Sequence, residues 1–286
     1  MMKKTMPRHI LFATDFTARC DRALDRAVQL AVQWNARLTV VHAVEQNAIA
    51  VDGGGIEIPA LIAWEVCRLR EELSTVDGLI AEVVIRLGAP EDVVNKILAT
   101  DPVSIIVAGI SRNDSLGRTI LGTTTGALIK TSGIPVLVVK RRPIDAGGQT
   151  VFATDLSENS ANTLKLAAGF ISSPSVLFHT FDPPFATLAE DKKSYVAGYR
   201  AELLAQCRRF LGTTLGEEVA AKVHIVMEVG EPASALATYV SANDVDLVIT
   251  GTRTKSGVMS VLLGSVATRI LYEVPCDILV LPASET

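Results

Sequence analysis

Phe12-Ala13-Thr14-Asp15 returns, letter for letter, as Phe152-Ala153-Thr154-Asp155. Three further matches follow in order. Arg86-Leu87-Gly88-Ala89-Pro90 parallels Glu228-Val229-Gly230-Glu231-Pro232, Ile105-Ile106-Val107-Ala108-Gly109 parallels Leu247-Val248-Ile249-Thr250-Gly251, and Leu121-Gly122-Thr123 parallels Leu263-Gly264-Ser265. The offset stays between 140 and 142 residues, too long for a solenoid repeat, so each copy is a domain. A chain of 286 residues agrees, because domains usually run to roughly 100–200 residues. The seam, Arg141-Arg142-Pro143-Ile144-Asp145-Ala146-Gly147-Gly148, mixes charge, Pro and Gly between two apolar runs, which sets the expected domains at 1–144 and 145–286.

Each copy alternates strand and helix patterns. In the first copy strands are expected at 10–14, 38–44, 79–87, 103–108 and 135–140, and in the second at 150–154, 176–181, 223–229, 245–250 and 277–281. Between them Ala23, Leu24, Ala27, Val28 and Ala31 recur at helical spacing behind Thr17, a candidate N-cap. Helices are also expected at 60–73, at 91–98 behind Pro90, and at 124–130. The segment 47–59, with Gly53-Gly54-Gly55, has neither period and reads as a surface loop; Ile58 stands where a dinucleotide fingerprint would need its last Gly. Alternation of this kind implies an α/β fold, a parallel sheet with right-handed crossovers in each copy.

Composition supports that class. Apolar residues make up 49% and aromatics only 5%, so the core is aliphatic, as in a parallel sheet covered on both faces. A net charge of −4 argues against a general phosphate-backbone binder. Cys20, Cys67, Cys207 and Cys276 lie far apart, with neither zinc spacing nor a disulfide framework, and reduced thiols are expected. The apolar run 10–13 is stopped by Asp15 and is shorter than the core of a signal peptide, about 7–15 residues. No stretch reaches transmembrane length, so the expected location is the cytoplasm, with no membrane partner.

Ligands of open α/β sheets bind outside the carboxyl ends of the strands, where strand order reverses. Asp15 and Asp155 close the first strands and Gly109 and Gly251 the fourth. Gly122-Thr123-Thr124 and Gly264-Ser265-Val266 then open a helix, whose free N–H groups and positive dipole end suit a phosphate. The bland readings are a tight turn for the glycines, an Asx-type cap for the aspartates, and satisfied, half-buried imidazoles for His42 and His179. No Walker A sequence, GxSxG elbow or HExxH appears, so an enzyme beyond slow ATP hydrolysis is not expected.

The chain resembles the universal stress protein family in Gly251-Thr252-Arg253-Thr254, nine residues, Gly264-Ser265, then Val274-Pro275-Cys276-Asp277-Ile278-Leu279-Val280, and in Gly109-Ile110-Ser111-Arg112, nine residues, Gly122-Thr123, then Gly133-Ile134-Pro135-Val136-Leu137-Val138-Val139. The strand-one Asp and strand-two His also look like the family's pattern, and the resemblance covers nearly all of both halves. It implies two tandem Rossmann-like domains of adenine nucleotide alpha hydrolase type, each a five-stranded parallel sheet in order 3-2-1-4-5. It also implies that the halves pair as a pseudo-dimer through 135–140 and 277–281.

The same resemblance implies ATP or a related adenine nucleotide, accompanied by Mg, at each switch point. Asp15 or Asp155 and the strand-two ends at Ala43 or Thr180 would hold the adenosine. Gly109, Gly122, Thr123 and Thr124, or Gly251, Arg253, Gly264, Ser265 and Val266, would hold the phosphates. Both copies depart from the motif at its second glycine, which is Arg112 in one and Thr254 in the other. A side chain there is strained if the position needs positive φ. Thr254 is small and can donate to a phosphate, whereas Arg112 is bulky, so the second copy is expected to be the better site.

Two functions stay open from the sequence: a regulatory nucleotide-binding stress protein, or a nucleotide-independent protein-interaction module with vestigial sites. The protein partner is not specified by the residues, and a further homodimer is compatible with them. With an acidic balance and no basic recognition helix, no specific nucleic-acid binding is expected; gel shifts against genomic fragments should show no salt-sensitive, sequence-specific band.

Overall fold

The computed structural model describes residues 6–44, 51–52, 55–56, 60–110, 112–113, 119–142, 148–171, 176–184, 190–254 and 261–282. The chain divides into two compact units, Thr5–Asp145 and Ala146–Thr286. Each is taken by itself.

In the first unit β1 (His9–Thr14), β2 (Arg37–Val44), β3 (Ile80–Leu87), β4 (Ile105–Gly109) and β5 (Val136–Val139) form one sheet in the order β3-β2-β1-β4-β5. All four pairings are parallel, with Thr14 opposite His42 and Phe12 opposite Val107. Ile10, Leu11 and Phe12 are consecutive and fully buried, which requires cover on both faces of β1. That cover comes from α1 (Asp21–Trp34), α2 (Ala60–Ser74), α3 (Pro90–Thr100) and α4 (Thr123–Thr131). Ala23, Ala27 and Ala31 make the buried stripe of α1, and their small side chains bring the helix close to the sheet.

The second unit repeats the plan. Its strands β6 (Gln149–Ala153), β7 (Val176–Phe181), β8 (His224–Val229), β9 (Val245–Gly251) and β10 (Asp277–Leu281) lie in the order β8-β7-β6-β9-β10, again all parallel. Its helices are α5 (Glu158–Ala167), α6 (Lys192–Leu215), the short α7 (Glu217–Ala220), α8 (Pro232–Ala242) and α9 (Ser265–Glu273). Both sheets thus have the expected order 3-2-1-4-5.

Strands at a sheet edge carry unpaired carbonyls, and here a helix arginine answers one in each unit: Arg70 donates to the Val83 carbonyl and Arg200 to that of Met227. The glycine of each repeated Gly-x-Pro is required by backbone conformation. Gly88 has φ 133° and Gly230 φ 122°, and the following Pro90 and Pro232 open α3 and α8.

One expectation fails. Thr17 does not cap α1, which begins only at Asp21 behind Cys20, with no side-chain cap. The Thr17 hydroxyl is committed to Asp15, and the Cys20 amide turns back to the Thr17 carbonyl at 2.8 Å, so this stretch is a turn. In the second unit Ser157 occupies the corresponding place and does cap α5, accepting from the Ser160 amide. The expected loop at 47–59 lies largely outside the described residues; Val51–Asp52 and Gly55–Ile56 within it pair as a small antiparallel ribbon. All four cysteines are free, Cys207 and Cys276 buried.

Gly109 and Gly251 sit at equivalent strand ends but tolerate different things. A Cβ on Gly109 would meet the Arg19 carbonyl at 3.4 Å and Ala23 Cβ at 3.6 Å, ordinary contacts. On Gly251 it would come within 2.7 Å of Thr163 Oγ1, which is buried and held by its hydrogen bond to the Asn159 carbonyl. Gly251→Ala should therefore destabilise the second unit by about 1–3 kcal/mol. Gly109→Ala should leave the first unchanged or stabilise it by about 0.4–1 kcal/mol. Adding Thr163→Ala, which copies Ala23, should recover most of the Gly251→Ala loss; denaturant unfolding of the three variants checks it.

Candidate functional site

The parallel arrangement brings the carboxyl ends of all five strands of a unit to one side. In the first unit a cleft of about 480 Å3 opens there, lined by Ala13, Thr14 and Asp15 from the end of β1 and Val41, His42 and Ala43 from β2. Ala108 and Gly109 from β4, Pro90, Val93 and Val94 from α3, and Gly122, Thr123 and Thr124 at the start of α4 complete most of the wall. In the second unit a cleft of about 590 Å3 is lined by Thr154, Asp155, Phe178, His179, Thr180, Pro232, Leu236, Gly251, Gly264, Ser265 and Val266, among others. Each cleft has the size of a small-molecule site, about 300–1,000 Å3. Asp15, Ala43, Gly109, Gly122, Thr123 and Thr124 are thus brought together in one cleft, and Asp155, Thr180, Gly251, Gly264, Ser265 and Val266 in the other.

The side chains of Arg112, Arg253 and Thr254 lie outside the described residues. Their backbones are described, and they answer whether this position needs positive φ. Arg112–Asn113 pairs with Thr119–Ile120, and Arg253–Thr254 with Val261–Leu262, as antiparallel ribbons. Among the described residues positive φ outside glycine is confined to Phe16, Asn35 and Leu156, so the chain at 112 and 254 is extended and carries no left-handed strain. A side chain at that position changes the space beside the loop and leaves its backbone unstrained.

Gly122 and Gly264 are the N-caps of α4 and α9, with φ −63° and −62° and no side-chain cap. Any residue adopts those angles, so what glycine supplies is room beside the first-turn amides. Those amides have no intrahelical acceptor and carry about half a positive charge between them. The Thr125 hydroxyl donates to the Gly109 carbonyl at 3.0 Å, tying the start of α4 to the end of β4.

Asp15 and Asp155 form the other pole. Asp15 Oδ1 accepts from the Thr17 amide (2.9 Å), the Thr17 hydroxyl (2.6 Å) and the Cys20 thiol (3.1 Å), and Oδ2 from Arg19 (3.5 Å). Burial pushes its acidity down, but these donors outweigh it and hold the carboxyl below its ordinary pKa. Asp155 Oδ1 accepts from the Ser157 amide (3.1 Å), the Ser157 hydroxyl (2.6 Å) and the Ser160 hydroxyl (2.6 Å). The aspartates therefore close Asx-type turns while facing the cleft, but neither is the helix cap of the bland reading: α1 has no side-chain cap and Ser157 caps α5. His42 and His179 each place Nδ1 2.9 Å from the carbonyl of the strand-one Thr, Thr14 or Thr154; that carbonyl only accepts, so Nδ1 carries the hydrogen.

Sequence reasoning missed the device that aims each aspartate. Phe16 and Leu156, one residue beyond, sit in the left-handed region at φ 57° and 61°. Thr14 Oγ1 accepts the Phe16 amide at 3.0 Å, and Thr154 Oγ1 the Leu156 amide at 2.9 Å. The signal was present as Thr-Asp-x-Thr in one copy and Thr-Asp-x-Ser in the other. It also missed Arg19 and Cys20, whose places in the second cleft are taken by Asn159 and Ser160. Among the described residues no group of three or more His, Cys, Asp or Glu could hold a metal ion, and no helix is long and apolar enough to cross a membrane.

The universal stress protein family profile matches the chain twice, over residues 6–140 and 149–282. A universal stress protein of Staphylococcus saprophyticus is 27% identical over 154 residues, 52% of this chain and 92% of that protein. A homologue from Staphylococcus haemolyticus is 26% identical over 153 residues, 51% of this chain and 93% of that protein. Among solved structures, a universal stress protein from Pseudomonas aeruginosa superposes with a TM-score of 0.67 at 19% identity, covering 98% of this chain and 94% of the other. One from Archaeoglobus fulgidus gives 0.60 at 18%, covering 96% and 98%. Two matches to the family, one over each unit whose strands run in the order 3-2-1-4-5, make this chain a tandem member of the universal stress protein family.

Proposed function

We propose that the protein is a regulatory nucleotide-binding protein of the stress response, taking ATP or a related adenine nucleotide, and that the second unit holds the better site. The observation that carries the reading is the second cleft itself. There an uncapped helix start at Gly264 and an aspartate at the end of the first strand face one space of about 590 Å3. The α9 amides and Ser265 suit the phosphates, with Gly251, Arg253, Thr254 and Val266 beside them. Asp155 and Thr180 lie toward the strand ends where the adenosine would sit. Mg would arrive on the phosphates, which usually supply much of its coordination. Occupancy would then alter contacts with a protein partner.

The first cleft is smaller, about 480 Å3, and Arg19 and Cys20 stand where the second has Asn159 and Ser160. The large Arg112 flanks it in sequence. Volume therefore outweighs charge in this ranking. Because Gly264 and Gly122 have ordinary φ, a bulky residue at either fills space without straining the backbone. Isothermal titration with ATP should show Gly264→Leu losing most of the binding, tenfold or more, and Gly122→Leu changing little. Equal losses, or a larger one at Gly122, would reverse the ranking.

One observation favours the nucleotide-independent reading: Asp155 Oδ1 already accepts three hydrogen bonds from its own turn, as a purely structural turn residue would. The two readings separate on the purified protein. Extraction and mass spectrometry should yield a stoichiometric adenine nucleotide; an empty extract together with no heat on titrating ATP would leave the interaction module standing.

A further inference from the structure

The other end of the first sheet, away from the cleft, carries a buried polar chain that the nucleotide reading does not use. His9 and Thr39 are 4% and 3% exposed. His9 Nε2 lies 2.9 Å from Thr39 Oγ1, Thr39 Oγ1 donates to Glu82 at 2.8 Å, and Arg37 Nη2 lies 3.1 Å from His9 Nδ1. The directions are fixed by chemistry. A guanidinium only donates, so His9 Nδ1 must accept. The single hydroxyl hydrogen of Thr39 goes to the Glu82 carboxylate, so its oxygen accepts and His9 Nε2 carries the hydrogen. Both ends demand the same neutral tautomer. Protonating Nδ1 would aim an N–H at the N–H of Arg37 and set two cations side by side in a buried place.

We propose that His9, Arg37, Thr39 and Glu82 form an acid-sensitive latch joining β1, β2 and β3, and that the second unit lacks it. The charged groups facing His9 are Arg37 on β2, Glu82 on β3 and Asp101 after α3, the last also bound by Arg37 at 3.3 Å. Burial first, and Arg37 next, hold the His9 pKa below its ordinary 6.5, although the two carboxylates pull the other way. The folded state therefore binds fewer protons than the unfolded one as pH falls below 6.5. Stability from this group is full above that pH, declines through the window beneath it, and stays low below the folded pKa.

The second unit supplies the control. By strand register His9, Thr39 and Glu82 correspond to Gln149, Val176 and His224. Gln149 cannot titrate and instead accepts from the Tyr239 hydroxyl at 3.1 Å. Acid should loosen one sheet and spare this place in the other.

Hydrogen exchange with mass spectrometry on the full chain, at about pH 7.5 and 5.5 and corrected for intrinsic exchange, tests the latch. Peptides covering 9–14, 37–44 and 80–87 should lose protection severalfold at the lower pH, while 149–153 and 176–181 keep theirs. His9→Gln, which copies the second unit, should abolish the difference. Equal protection at both pH values, or a loss that persists in His9→Gln, overturns the proposal. The imidazole 15N shifts of His9 in the unmutated protein give a reading independent of whether that variant folds. The neutral Nε2–H form should persist below pH 6.5; a ring already protonated there sinks the idea.

Discussion

Everything at the cleft depends on how the chain leaves the first strand of each unit. The backbone must stop pairing, reverse and enter a helix within a few residues, and it does so by placing Phe16 or Leu156 in the left-handed region. For a bulky L-residue that costs roughly 1–2 kcal/mol. Against it stand the strand-one threonine accepting the strained residue's amide and an aspartate accepting from four donors in the first unit and three in the second. Hydrogen bonds to a charged group contribute about 1.5–3 kcal/mol each, so the turn is stable even though one residue in it is not. Its consequence is positional. The carboxylate is held at the strand end and the helix start is set back, which leaves open the space that the first turn of α4 or α9 faces.

Much of this was legible and some was not. A parallel sheet with right-handed crossovers in each copy followed from a long period and five apolar runs per copy, which are properties of the pattern; the order 3-2-1-4-5 was what the family resemblance implied. Gly88 and Gly230 were visible only as members of the repeat; their positive φ is what the structure adds. The Thr17 cap was misread because a hydroxyl beside a helix pattern has two competing uses, and only the fold shows that Asp15 takes it. The left-handed Phe16 and Leu156 could not be read from residue type, since neither prefers that conformation. Whether 112 and 254 need positive φ could not be read from the glycine they replace; both lie in paired ribbons. A motif glycine can mark space as well as conformation, and the sequence does not say which.

The two copies share a backbone plan and have diverged in side chains at matched positions. Where α1 presents Ala23 to the strand-end glycine, α5 presents Thr163, and the distance from a built Cβ to that side chain falls from 3.6 Å to 2.7 Å. Where the first cleft has Arg19 and Cys20, the second has Asn159 and Ser160. Where the first sheet begins on a titratable His9, the second begins on Gln149. Each exchange leaves the sheet order untouched, because that order rests on main-chain pairing and apolar burial distributed over many residues. Each changes a local property: packing tolerance, cleft charge or response to acid. The two units thus keep one main-chain plan while their side chains set different local conditions at matched places, which is why a finding on one unit does not carry over to the other.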